Sequence, residues 1–162
     1  MSAIEELKGA GKKEAFHRAA ESNTHAFSFA VPDIEAPSGR INCSLAKTDS
    51  CSATILVIRK GYKTPHHYHP NQEGIWLVLK GCVRFYSGEY DNPSGEFGPL
   101  EGILQPENSR YWFETAGDEE AWLLQIAGYP KGKDKARRIA VDKDRAPSEG
   151  GVRADMAIRA AQ

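Results

Sequence analysis

The stretch Gly61-Tyr62-Lys63-Thr64-Pro65-His66-His67-Tyr68-His69-Pro70-Asn71-Gln72-Glu73 holds three of the chain's five histidines within four residues. In an extended segment alternate side chains share a face, so His67 and His69 point one way while His66 and Tyr68 point the other. Two imidazoles at i and i+2 are placed to hold one divalent metal, and imidazole suits Zn, Fe, Ni and Cu. The same pattern also describes a polar loop whose histidines bond to backbone. On either side of this stretch the chain reads as short strands. Thr54-Ile55-Leu56-Val57-Ile58 precedes it; Ile75-Trp76-Leu77-Val78-Leu79, Val83-Arg84-Phe85-Tyr86, Tyr111-Trp112-Phe113 and Trp122-Leu123-Leu124-Gln125-Ile126 follow. Gly, Pro and Asn punctuate them, a spacing that predicts an all-β sandwich or barrel. No helix of useful length fits between them, which disfavours a parallel α/β sheet.

Residues 2–21, rich in Ala, Glu, Lys and Leu, read as helix interrupted around Gly9-Ala10-Gly11. Residues 131–162 are polar; 138–141 read as a strand and 152–161 as a short helix. The expected organisation is an N-terminal helical arm (1–26), a barrel (27–130) and a basic C-terminal extension (131–162), with the arms embracing a second copy in a homodimer.

The 162 residues suit one ordinary globular domain. No apolar run reaches the roughly 18 residues of a membrane span, and the N-terminus lacks a signal-peptide pattern. Cys43, Cys51 and Cys82 are an odd set in such a chain, so they are expected reduced and the protein cytoplasmic. Residues 131–162 carry nine Lys/Arg against five Asp/Glu, within a chain of net charge −1. The signs alternate and no aromatic residue is present to stack bases, so nucleic-acid binding is not supported. A glycine-rich phosphate loop, a Gly-x-Ser-x-Gly elbow and a Cys-x-x-Cys pair are absent. Cys82 reads as a small buried hydrophobe.

The histidine stretch resembles the first cupin motif: Gly, five residues, His, any residue, His, three or four residues, Glu, six residues, Gly. Gly61, His67, His69 and Gly81 fall on it. Residues 98–113 resemble the second motif, a Pro-containing turn before an aromatic strand, and residues 114–121 the hairpin that follows. The resemblance spans residues 54–128 and implies an all-β double-stranded β-helix, or jelly roll. It also implies a three-His, one-Glu metal set, from which this chain departs. Anchored on Gly81, the Glu position falls on Gly74, with Glu73 one residue early and so on the other strand face unless a bulge turns it inward. The third histidine position falls on Tyr111. The implied cofactor is therefore one divalent metal (Fe, Ni, Mn or Zn) on His67 and His69, with Glu73 and Tyr111 as substitutes, or none.

Tyr111 facing the histidines reads as a general acid or base, or as a plug in the space of a lost metal site. Trp76 and Val78 share strand parity with Gly74 and, with Phe113, predict an aromatic-walled pocket for a small molecule. Arg84 is expected to face out, and Arg110 to sit at the pocket mouth or on an exposed loop. Two functions follow. One is an enzyme of dioxygenase, isomerase or lyase type acting on a small organic acid, sugar or aromatic compound. The other is a non-catalytic or sensory small-ligand barrel without metal. The fold alone does not choose between them.

Overall fold

The computed structural model describes residues 3–130, 138–141, 152–155 and 158–159, in two compact units. The first comprises Met1–Ser28 and Ala157–Gln162. Helix α1 spans Ala3–Glu21 without a break, and strand β1 (Ala26–Phe27) pairs antiparallel with a strand at Ile158–Arg159. The predicted interruption at Gly9-Ala10-Gly11 is thus corrected. A glycine inside a helix costs only about 1 kcal/mol, too little to break a run otherwise made of good helix formers. None of the described residues forms a helix long and apolar enough to cross a membrane.

The second unit, Phe29–Met156, carries the remaining strands. They are β2 (Arg40–Lys47), β3 (Cys51–Ile58), β4 (His67–Tyr68), β5 (Glu73–Lys80), β6 (Val83–Ser87) and β7 (Pro93–Phe97). After them come β8 (Gly102–Gln105), β9 (Tyr111–Thr115), β10 (Ala121–Gly128), β11 (Ile139–Ala140) and β12 (Val152–Asp155). One sheet has the order β12-β2-β3-β10-β5-β8 and the other β11-β4-β9-β6-β7. All pairings are antiparallel except β12 with β2. The tail segment predicted as helix is therefore strand β12 at its start, paired Val152 to Ile41 and Asp155 to Ser44. It has too little apolar surface for a helix face, and the free edge of β2 supplies backbone partners instead. The predicted strand at 138–141 is β11 on β4. The rest of the basic extension, residues 131–137, 142–151, 156–157 and 160–162, lies outside the described residues.

The core lies between the two sheets. Leu56, Ile58, Trp76, Val78, Val83, Phe85, Tyr111, Phe113 and Leu123 pack together there. A second cluster, Ile41, Cys43, Leu45, Ile55 and Val57, is covered by Phe29, Val31 and Ala36 on the other face of the larger sheet. Strand β3 is buried on both faces, which is why residues 54–58 form a continuous apolar run rather than an alternation. Gly81 turns β5 into β6 at φ 73°, and a Cβ there would stand 2.6 Å from the Glu120 carbonyl oxygen, so glycine is required on both counts. Cys82 is half-buried with its thiol 3.4 Å from Glu96, which corrects the expectation of a buried hydrophobe. Its place one residue past the turn leaves it at the barrel end rather than in the core. The three cysteines are free thiols.

Candidate functional site

The site is built by β4 lying against β9, where His67 pairs with Tyr111. Thr64 locks the approach: its amide donates to the Phe113 carbonyl at 2.9 Å and its Oγ1 accepts from the Phe113 amide at 2.9 Å. The alternation expected of the segment follows. His66 turns away and its Nε2 donates to the Gly88 carbonyl at 3.0 Å. His67 and His69 turn inward, their ring centroids 5.0 Å apart, with Tyr111 at 4.5 Å from His67 and 6.1 Å from His69. Trp76 stands 6.2 Å from Tyr111 and 5.1 Å from Phe113. These rings line a cavity of about 120 Å³ together with Leu56, Thr64, Arg40, Asn42, Gln125 and Arg138. Val78 is fully buried in the core below and does not line it.

His67 is 4 % exposed, and its Nδ1 lies 2.6 Å from the Pro65 carbonyl oxygen. A carbonyl can only accept, so Nδ1 carries the proton and Nε2 keeps its lone pair. Burial lowers the His67 pKa to about 3, with His69, Arg138 and Arg40 adding repulsion and the Pro65 bond opposing. Burial and then Arg138 lower His69 to about 4. Both imidazoles are neutral at neutral pH. Burial also raises the Tyr111 hydroxyl well above the ordinary phenol range, against the opposing influence of Trp76 and Arg138, so it stays a neutral donor.

Arg40, Asn42, Gln125 and Arg138 were not singled out by sequence. Arg40 and Asn42 alternate with the buried Ile41 and Cys43 of β2, and Gln125 interrupts the apolar run of β10, so a period-2 reading could have marked all three. The register of β11 on β4 pairs Ile139 with Tyr68 and, continued by one residue, sets Arg138 opposite His69; no local pattern announces that. Arg110 instead pairs with Glu89 at 3.1 Å, and Arg84 faces outward to Glu96 at 2.7 Å.

Glu73 is exposed on the opposite face of β5 from Trp76 and no bulge turns it inward, so it does not join the histidines. At position 74 there is no side chain, and a Cβ there would sit 3.4 Å from Trp76 Nε1; the indole occupies the ground a carboxylate would need. Among the described residues no three His, Cys, Asp or Glu side chains come together. Two imidazoles and a neutral phenol fall short of the three protein ligands of a tight site, so the described residues do not fit a firmly held metal.

No protein-family profile matches the chain. Among curated proteins it is 26 % identical over 98 residues to Protein SchB of Streptomyces halstedii, covering 58 % of this chain and 69 % of that one. It is 30 % identical over 73 residues to Polyketide synthase CurC of Streptomyces cyaneus, covering 43 % of this chain and 44 % of that one. Among solved structures, a double-stranded β-helix protein from Klebsiella pneumoniae superposes with TM-score 0.61 at 14 % identity, over 76 % of this chain and 96 % of that one. The cupin domain of Schizosaccharomyces pombe Cnp3 superposes at 0.55 and 14 % identity, over 64 % and 74 % of the two chains. The fold is a cupin fold. KdgF from Halomonas sp. is a further match, at TM-score 0.55 and 15 % identity over 67 % and 97 % of the chains. At these identities the structural likeness establishes the cupin barrel and no activity.

Proposed function

We propose that this cupin barrel binds a small, flat organic molecule bearing an acidic O–H or C–H next to a carbonyl, and that His67 moves a proton on it without a metal. The observation that carries the reading is the Nδ1–Pro65 bond, which leaves Nε2 of His67 as a proton acceptor in a cavity that two guanidinium groups also line. The proton passes from the ligand to Nε2, its electron pair stays on the ligand as an enolate or phenolate, and Arg40 and Arg138 stabilise that anion. An imidazole held at about 3 is a weak base in the empty pocket; the anion beside it raises that value, so charge develops as a pair. Tyr111, a neutral phenol, donates to the ligand oxygen, and Trp76 and Phe113 give the flat ring its walls. The relative named as a polyketide synthase supports this substrate class, because C–H groups between carbonyls are acids of this kind.

1,3-Dihydroxynaphthalene tests the reading. It should bind the full chain by calorimetry, and exchange of its C2 hydrogen in D2O, followed by NMR, should be accelerated. His67→Gln should reduce the acceleration by about 10²-fold, the usual share of a general base, while retaining binding. Binding without acceleration would make the barrel a non-catalytic ligand carrier, and no binding would overturn the reading.

We propose further that two copies pair through the outer face of the larger sheet. Ile75, Leu104 and Ile126 lie side by side across β8, β5 and β10 and are 52 %, 57 % and 41 % exposed. Sedimentation at micromolar concentration should give a dimer, and Ile75→Glu with Leu104→Glu a monomer; a monomeric wild type would end this proposal.

A further inference from the structure

A second, wider cavity of about 770 Å³ adjoins the histidine pocket, and the two share Arg40, Asn42, Gln125 and Arg138. Lys47 and Arg153 join the two shared arginines on its wall, so among the described residues four cations line it and no carboxylate does. The remaining wall is made largely of hydroxyl and amide side chains from β2, β3 and β10. Strand alternation explains how they gather: Ile41, Cys43 and Leu45 of β2 face the outer cluster, which leaves Arg40, Asn42 and Ser44 facing inward. The parallel partner β12 then adds Arg153 beside Asn42.

Cations usually gather with carboxylates, and elsewhere on this barrel they do. Arg59 and Lys80 meet Glu120, Lys60 meets Asp118, Lys63 meets Glu114 and Arg84 meets Glu96. Among the described residues, none of Arg40, Lys47, Arg138 or Arg153 has a carboxylate within 4 Å. Arg40 Nε is moreover buried without an acceptor among those residues. An N–H donor shut from water and left unbonded is costly unless a ligand supplies the acceptor. Burial and then the nearby Arg40 lower the Arg138 pKa against the opposing influence of Tyr62 and Tyr111, as expected of two like charges held near each other.

We propose that this outer cavity holds a multiply charged oxyanion of the phosphate-ester type, carried by the same ligand whose flat ring lies at His67. Guanidinium forks match such oxygens two at a time, and four cations suit more than a single negative charge. The two cavities then divide one ligand, an acidic ring in the small aromatic pocket and a phosphorylated arm in the large cationic one. This inference rests on the ring-binding reading above.

Pyrophosphate and 1,3-dihydroxynaphthalene are the two probes, each titrated into the full chain and into a Lys47→Gln, Arg153→Gln variant. Both substituted side chains are exposed, so the barrel core is untouched. Pyrophosphate should bind the wild type, weaken as salt is raised and bind the variant at least about tenfold more weakly, as expected for loss of two charge-assisted contacts. Dihydroxynaphthalene should bind both proteins equally. Should pyrophosphate not bind, or bind both proteins alike, the oxyanion site is overturned and the ring reading stands. Should pyrophosphate behave as expected while dihydroxynaphthalene fails to bind, the ring reading and the single divided ligand fall together, leaving an anion site alone.

Discussion

The barrel should lose stability as the pH falls from 6.5 to 5, before its carboxylates titrate. His67 and His69 have folded pKa values of about 3 and about 4, against an ordinary value of 6.5. Between those limits the unfolded chain takes up protons that the folded chain refuses. Stability is then complete above 6.5 and declines with acid, by about 1.4 kcal/mol per pH unit for each histidine. At pH 5 His67 alone costs about 2 kcal/mol and the pair at most about 4 kcal/mol, a large part of the roughly 5–15 kcal/mol that holds a domain folded. His69 is only partly buried and contributes the smaller share. Urea midpoints at pH 7.5, 6.0 and 5.0 and fixed ionic strength measure this, and His67→Gln with His69→Gln should flatten most of the slope. A midpoint unchanged from 7.5 to 5.0 would show that the imidazoles are not desolvated as the structure has them. Glu114 does not enter this window. Burial alone would raise its carboxyl, but Lys63 and Tyr86 outweigh burial and hold it below the usual range, so it titrates at lower pH.

The same electrostatics connect stability to the proposed chemistry. A neutral histidine pair beneath arginines is a resting state that resists protonation and favours an incoming anion. A bound enolate or phenolate reverses the sign of the local field, so proton transfer to His67 and anion binding at the arginines reinforce each other.

The strand period and the histidine spacing carried most of the barrel, because β3, β5, β6, β9 and β10 bury long β-branched or aromatic side chains that announce themselves in sequence. The strands β7 and β8 were not legible. Pro93-Ser94-Gly95-Glu96-Phe97 and Gly102-Ile103-Leu104-Gln105 have weak local preference, and they become strands because β6 and β5 offer them backbone partners. The tail strand β12 likewise exists through pairing rather than propensity, whereas β11 falls in the strand expected at residues 138–141. At the site, the inward turn of His67 and His69 and their approach to Tyr111 follow from extended alternation and motif spacing. The arginines did not emerge, because Arg40 and Arg138 are separated by nearly a hundred residues and meet only through sheet closure. Their role is electrostatic, and a cation's charge in sequence says nothing of whether a carboxylate will stand beside it.

Gly102→Ala should be the most damaging small substitution in the barrel, at about 3 kcal/mol or more. Strand β8 lies so close to β5 that a Cβ at position 102 would come 1.9 Å from the Trp76 carbonyl oxygen, 2.9 Å from its carbon and 3.1 Å from Leu77 Cα. These are backbone atoms, so no rotamer change relieves the contact, and the strands themselves must separate. Separation strains the pairing of Trp76 with Ile103 and of Leu77 with Gly102. It also draws on the Val78 amide bond to the Glu101 carbonyl and the Leu100 amide bond to the Val78 carbonyl, at 2.9 and 2.8 Å. Trp76 moves with its backbone, and the pocket loses one aromatic wall, so dihydroxynaphthalene binding should fall along with the denaturation midpoint. Gly128→Ala is the matched control: it lies in β10 of the same sheet, where a Cβ meets nothing within 4 Å, and should change stability by no more than about 0.5 kcal/mol. A Gly102→Ala protein as stable as this control would mean that β8 does not lie against β5 at this distance. Trp76 would then owe its place in the pocket to the core side chains around it and not to the strand pair that carries it.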